Sequence, residues 1–500
     1  MVAATPCPTP AAETKGRLRL RVTLAASATD APALSGRMVV AMTTATDVKG
    51  PFELDWDRLS EQWKAGMDVP ALARDGAVEV DPDVLSWPKP FSQAPPGTYK
   101  IAAYLRGADG RAVVSPVVQV AIDPANAGTI DLRLETKLPA APAPTTQPGV
   151  EIVRFDSKVL SDFYGRPIAM DAIVWLPPSY GKDKRRRYAT EYYVFGFGGS
   201  VAGAYDRVVK EAKASAEANA PEMVHVMLPG NIPSGHHVFA DSVNQGPWGR
   251  ALVEELVPHL EKKYALIAAP RARLLGGHSS GGWASLWLQI NHPDFFGGTW
   301  STAPDPVDLR SFTGIDVTPG SKESFYRKSD GSPRGLFRVA GKDLLSIEDF
   351  AKLEQIDGDV GPLGTFEWVF SPRGPTGAPL PLYDRATGKQ DPLVQQAWAK
   401  WDIRKVLEAR WATLGPKLKG KLHLFVGGAD TFHLDESMVL LCEALKTWKS
   451  DATCEVVPGK THFDLLGDAG DKASLQWRTR LEMERAAGTG GAHAPTKKAR

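Results

Sequence analysis

The sequence predicts two folded regions of different class. An all-β sandwich spans residues 17–137, and an α/β domain built on a mostly parallel sheet, with a large insertion, spans residues 150–485. Three observations carry this reading. The first region is a series of short runs that alternate apolar and polar residues, the period of half-buried strands. Residues 138–149 hold four prolines and no hydrophobic period, the composition of a stiff linker. Beyond the linker, apolar strands alternate with helical segments, which calls for a parallel sheet covered on both faces.

In the first region, residues 17–24 read Arg-Leu-Arg-Leu-Arg-Val-Thr-Leu, and similar runs follow at 37–42, 77–80, 99–106, 117–122 and 129–134. Pro95-Pro96-Gly97 and Asp109-Gly110 punctuate them. Several short strands without a strong amphipathic helix indicate a sandwich, and no catalytic constellation is visible there. In the second region, strands are expected near 151–160, 168–176, 191–195, 224–228, 273–276, 298–301, 422–426 and 453–457. Helices are expected near 250–264, with Leu252, Val253, Leu256, Val257 and Leu260 on one face, and near 281–291 and 434–448. Between the sixth and seventh strands lie about 120 residues where a few would suffice. This insertion, 302–420, carries Phe312, Phe325, Tyr326, Phe366, Trp368, Tyr383, Trp398, Trp401 and Trp411, too many aromatics for a solvated loop. It reads as a cap over the sheet edge where ligands of open α/β sheets bind, with Trp398 and Trp401 expected to contact substrate. Residues 486–500 are expected to form a disordered tail.

Composition removes some functions. Lys plus Arg number 59 and Asp plus Glu 58, a net charge of +1 that argues against nucleic acid as a partner. No run of 18 apolar residues exists, so no transmembrane helix is expected. The opening residues, rich in Ala, Thr and Pro, resemble the segment that follows a cleaved leader, so a periplasmic or secreted location is the expectation. Cys7, Cys442 and Cys454 are too few for a disulfide scaffold, and no spacing suits zinc. Cys442 falls late in a predicted helix and Cys454 at the start of the next strand. A bridge closing about a dozen residues and two buried thiols both remain open. His236-His237 is a poor metal pair, because adjacent residues rarely share one ion; no metal or cofactor is implied. His237 and Trp248 follow the fourth strand and are candidates for substrate contact, as are Asp305 and Asp308 after the sixth.

The chemistry centres on Gly277-His278-Ser279-Ser280-Gly281, which matches G-x-S-x-G. In a strand–turn–helix context, here between Leu274-Leu275 and the helix that begins at Gly281, this motif is a sharp turn that lifts a serine hydroxyl above the sheet edge. That is the nucleophile elbow of an α/β-hydrolase, and Ser279, central between the glycines, is preferred over Ser280. A serine needs a base. In this fold the chain order is Ser, acid, His, and His462, after the last strand, stands where the base belongs. The acid follows the seventh strand: Asp430, beyond Gly427-Gly428-Ala429, is preferred to Asp435, which falls inside a helical pattern. Two backbone donors must hold the oxyanion. They are assigned to the N–H of Ser280 and the N–H of Phe197, in Phe195-Gly196-Phe197-Gly198-Gly199-Ser200.

The catalytic region resembles the esterase family of the α/β-hydrolase superfamily that contains enterochelin esterases, S-formylglutathione hydrolases, feruloyl esterases and mycolyltransferases. The resemblance is carried by residues 188–200, 244–264 (with Asn-Gln-Gly-Pro-Trp at 244–248), 276–282, His292-Pro293-Asp294-Phe295-Phe296-Gly297, 427–434 and His462. It implies an α/β-hydrolase fold and the Ser279, Asp430, His462 assignment. Many members carry a histidine before the oxyanion-loop glycine, where Phe195 stands here. The expectation is a serine esterase acting on a small-molecule or polymer-linked ester. An acyltransferase with the same residues and a non-catalytic polymer-binding protein on a hydrolase scaffold remain as alternatives.

Overall fold

The sheet that carries the site has eight strands: β1 (Val150–Asp156), β2 (Ala169–Trp175), β3 (Thr190–Val194), β4 (Val224–Leu228), β5 (Arg273–His278), β6 (Gly298–Thr302), β7 (Leu422–Gly427) and β8 (Thr453–Val457). Their order is β1-β2-β4-β3-β5-β6-β7-β8. β2 runs antiparallel to both its neighbours, and every pairing from β4 to β8 is parallel. Parallel strands need crossovers, and helices supply them: Val201–Glu217, a long helix entered at Trp248, Ser280–Asn291 and Leu434–Thr447. β4, with the pattern Val-His-Val-Met-Leu, and β6 are buried along their whole length, as strands covered on both faces must be. This computed structural model describes residues 18–46, 52, 56–107, 112–123, 128–138 and 144–489. It falls into two units, Met1–Ala140 with Lys352–Asp359, and Ala141–Ala351 with Val360–Arg500.

The first unit is built on strands in two sheets. Arg19–Leu24 pairs parallel with Thr129–Leu134 and antiparallel with Ala77–Val80. Its alternation places Leu20, Val22 and Leu24 inward, fully buried. They share one core with Met38, Val40, Met42, Ile101 and Ala103 of the second sheet. That sheet includes a strand that the alternation did not announce, Gln62–Ala73. It contains Gly66 and Pro70, which read as breakers, and ten pairings with Ala33–Thr43 override them.

In the second unit the sequence misjudged several boundaries. The strand expected over 151–160 stops at Asp156, because the Ser157 hydroxyl caps the helix Lys158–Tyr164 by accepting the Leu160 N–H at 3.1 Å. The helix Val201–Glu217, capped by Ser200, was not foreseen. The helix expected at 250–264 starts earlier, at Trp248, and passes through a π-turn at Leu252–Leu256 before ending at Lys263. The helix Leu475–Ala487 runs into the segment expected to be a tail and ends at Gly488, in the left-handed conformation. Residues 1–17, the Asp109-Gly110 turn, residues 139–143 of the linker and 490–500 of the tail lie outside the described residues.

The insertion is folded. It holds the hairpin of Gly335–Val339 with Lys342–Ser346 and the helices Ile347–Asp357, Pro362–Phe370, Pro392–Trp398 and Ile403–Leu418. Phe312, Phe366, Phe370, Trp398 and Trp401 pack in one core with the sheet and the helix Ser280–Asn291. Cys442 and Cys454 are bridged, with Cα atoms 6.0 Å apart. Among the described residues no helix is long and apolar enough to cross a membrane.

Candidate active site

β5 ends at His278 and the helix begins at Ser280, which leaves a single residue to reverse the chain. That residue, Ser279, has φ 60° and ψ −126°, a conformation L-residues avoid. Its neighbours make it possible. A Cβ on Gly277 would lie 2.1 Å from the Gly281 carbonyl oxygen, and one on Gly281 would lie 2.0 Å from that of Val194. Only glycine fits at either place. The turn is tied to β6, where the Ser279 N–H donates to the Thr302 carbonyl at 3.0 Å and the Thr302 hydroxyl donates to that of Gly277 at 2.8 Å.

β7 delivers the acid. Asp430 Oδ2 and His462 Nδ1 lie 2.9 Å apart, and both residues are buried. The other carboxylate oxygen accepts the N–H groups of Phe432 and Leu434, at 2.9 and 3.3 Å. Burial pushes the Asp430 carboxyl up, but the bond to His462, the charge there and these two N–H groups outweigh it and leave it below its ordinary range. Asp430 is thus an anion. It accepts a hydrogen bond from the His462 Nδ1–H, which leaves the Nε2 lone pair free to face the cavity side of the ring. Asp435, the competing acid, pairs instead with Arg338 at 3.0 Å.

The loop after β3 is held by two contacts beyond the reach of pattern reading. The Val238 N–H donates to His236 Nδ1 at 3.0 Å, so that ring carries its proton on Nε2, which donates to the Phe195 carbonyl at 2.9 Å. Burial lowers His236 to about 4, in keeping with this neutral tautomer. The Gly198 N–H donates to Asn231 Oδ1 at 2.9 Å. Phe197, between these anchors, borders the same cavity as Ser279, Ser280 and His462. No hydrogen bond joins Ser279 to His462 among the described residues.

In this conformation the Ser279 hydroxyl donates to Asp305 Oδ1 at 3.4 Å. Burial pushes the Asp305 carboxyl up to about 6, against the hydroxyls of Ser280 and Ser279 and the charge of His462. Its companion Asp308 is buried elsewhere, paired with Arg310 and Arg404. His278, beside His462, is lowered to about 3 by burial and then by that neighbour, so it stays neutral.

The cavity measures about 300 Å³. One wall is the polar set above. The other comes largely from the insertion, with Leu336, Phe350, Pro362, Leu363 and Phe366. Four residues expected to touch substrate lie elsewhere. Trp398 and Trp401 are buried core: their indole N–H groups donate to the Ser371 hydroxyl and the Phe370 carbonyl, and both rings pack on Phe370. His237 and Trp248 are buried and stacked on each other, with ring centroids 4.0 Å apart. Aromatic content reported that the insertion was folded and could not report which rings faced inward. Among the described residues no cluster of three or more His, Cys, Asp or Glu side chains is arranged to hold a metal.

The family model described as "Putative esterase" matches residues 167–423, more than half of the chain. The chain belongs to this esterase family. The match ends before Asp430 and His462, so their candidacy rests on geometry and chain order. No curated protein matches the chain. Similar solved structures include a ferulic acid esterase, 16% identical over 68% of this chain and 99% of that one with TM-score 0.41. The fluorophosphonate-binding serine hydrolase F of Staphylococcus aureus is 12% identical over 68% of this chain and 98% of that one, TM-score 0.39. An S-formylglutathione hydrolase from Agrobacterium tumefaciens is 14% identical over 69% and 98%, TM-score 0.37.

Proposed function

We propose that this family member is a serine carboxylic-ester hydrolase that works through an acyl-enzyme on Ser279. The observation that carries the reading is the strained Ser279 turn opening on a cavity bordered by His462, whose other ring nitrogen is held by the buried Asp430. Ser279 Oγ attacks the ester carbonyl as its proton passes to His462 Nε2, and Asp430 stabilises the imidazolium. The N–H groups of Phe197 and Ser280 meet the negative charge on the carbonyl oxygen. His462 returns the proton to the leaving alcohol. Water, deprotonated by the same nitrogen, then releases the acid. The chemistry calls for no cofactor.

The same reading treats residues 17–137 as an all-β sandwich domain, 138–149 as its linker and 302–420 as a cap that shapes the acyl site. The test is hydrolysis of p-nitrophenyl acetate by wild type and Ser279→Ala. Turnover by wild type and its loss in a folded variant support the reading. Equal rates from both would refute it.

A further inference from the structure

The Asp305 carboxyl stands at the nucleophile, yet the acyl transfer described above makes no use of it. It is 7% exposed, and its Oδ1 lies 3.4 Å from Ser279 Oγ. Its backbone is fixed to the elbow, because the Asp305 N–H donates to the Ser279 carbonyl at 3.2 Å. The carboxyl therefore stays at the reacting centre, facing a cavity walled mainly by apolar side chains such as Pro306, Leu363, Phe366 and Phe432.

A negative group here opposes the charge that an ester oxygen develops during attack. Acylation also removes the proton that the Ser279 hydroxyl donates to Asp305 Oδ1, so a bound acyl group without a donor leaves that buried oxygen short of one hydrogen bond. A donor on the substrate restores the lost hydrogen bond, and a cationic donor also offsets the repulsion. Once the acyl carbon is bonded to Ser279 Oγ, an atom attached to the α-carbon is about 2.4 Å from that acyl carbon on ordinary bond lengths. An oxygen 3.4 Å from Oγ is then within hydrogen-bond reach of it.

We propose that Asp305 makes the site selective for esters whose acyl part carries a hydrogen-bond donor, hydroxyl or ammonium, on the carbon next to the reacting carbonyl, with an apolar group beyond it. This rests on the ester-hydrolase reading. Asp305 Oδ1 accepts the donor while the apolar group fills the space beside Leu363 and Phe366. The bonds made and broken are those of the acyl transfer already given.

The test uses ethyl esters of phenylacetic acid, mandelic acid and phenylglycine, which share one skeleton and differ in hydrogen, hydroxyl or amine at the α-carbon. kcat/KM is measured for the full chain at about pH 7, where part of the free α-amine is protonated. Phenylacetate turnover tests the esterase reading, and the two ratios to it test Asp305. Wild type should favour one or both donor-bearing esters by about tenfold or more, and the ratio that exceeds one identifies the donor. Asp305→Ala should bring the ratios towards one. Asp305→Asn, which accepts but carries no charge, should keep part of a hydroxyl preference and lose an ammonium preference. Wild-type ratios near one, or raised ratios that survive in Asp305→Ala, would overturn the proposal. An equal fall on all three esters with the ratios intact would also overturn it, leaving Asp305 as a residue that only holds Ser279. Should Asp305→Ala fail to fold, the wild-type and Asp305→Asn ratios decide. No turnover of any ester by wild type would remove the esterase reading and this proposal with it.

Discussion

The two walls of the cavity arise differently. Ser279, Asp305 and Asp430 follow the ends of β5, β6 and β7, and His462 follows β8, each within a few residues of a strand the sheet holds in register. The facing wall has no such frame. Leu336 sits on a hairpin, Phe350 and Leu363 on separate helices, and what brings them together is packing against the elbow helix through Phe370, Trp398 and Trp401. On the proposed ester-hydrolase reading, chemistry is placed by backbone geometry and specificity by side-chain packing. The first should therefore fail sharply on single substitutions, and the second should shift by degrees.

The largest effects belong to the polar wall. His462→Ala should cost about 10³-fold or more in kcat, since members of such a unit act together. Asp430→Asn should approach a loss of about 10⁴-fold, as removing the orienting carboxylate does in serine proteases. Asp435→Asn should be far milder, because Asp435 faces Arg338. Steady-state assays on one activated ester separate these cases, and greater damage in the Asp435 variant would erase the distinction between the two acids.

The apolar wall should separate into lining and support. Leu363→Ala and Phe350→Ala should change the kcat/KM ratio between large and small acyl esters by about tenfold, the scale of a lost apolar contact. Trp398→Ala should instead cost about 3–5 kcal/mol of stability, seen as a lowered Tm, and leave that ratio unchanged in the folded fraction. A selectivity shift from Trp398→Ala as large as that from Leu363→Ala would mean that lining and support cannot be told apart.

A smaller effect lies outside both walls. Reducing Cys442–Cys454, 12 residues apart in sequence, should lower stability by about 3 kcal/mol. Ester turnover below the new Tm should stay the same, since neither cysteine borders the cavity. Thermal melts and rates with and without reductant check both statements.

The same contrast explains what could be read from the sequence. The elbow was legible because two glycines and a serine at fixed spacing are a local requirement of the turn, and the order Ser279, Asp430, His462 follows from strand order. The period of 2 marked most strands of the first unit, whereas Gln62–Ala73 was missed because its glycine and proline are tolerated only through pairing. Asp305 could be placed near the cleft by topology, but its approach to Ser279 depends on the bend of the chain after β6. His236 carried no pattern at all, since its role is to reach a loop 41 residues away in sequence. The tryptophans of the insertion were misassigned for a related reason: large aromatics serve equally to line a pocket and to fill a core.

An activated Ser279 should reveal itself by covalent labelling. The full chain is treated with a fluorophosphonate and analysed by intact mass and peptide mapping. One adduct per chain is expected, on Ser279, formed much more slowly in a folded His462→Ala variant. An adduct on Ser280, or folded wild-type protein that takes no label, would contradict this expectation.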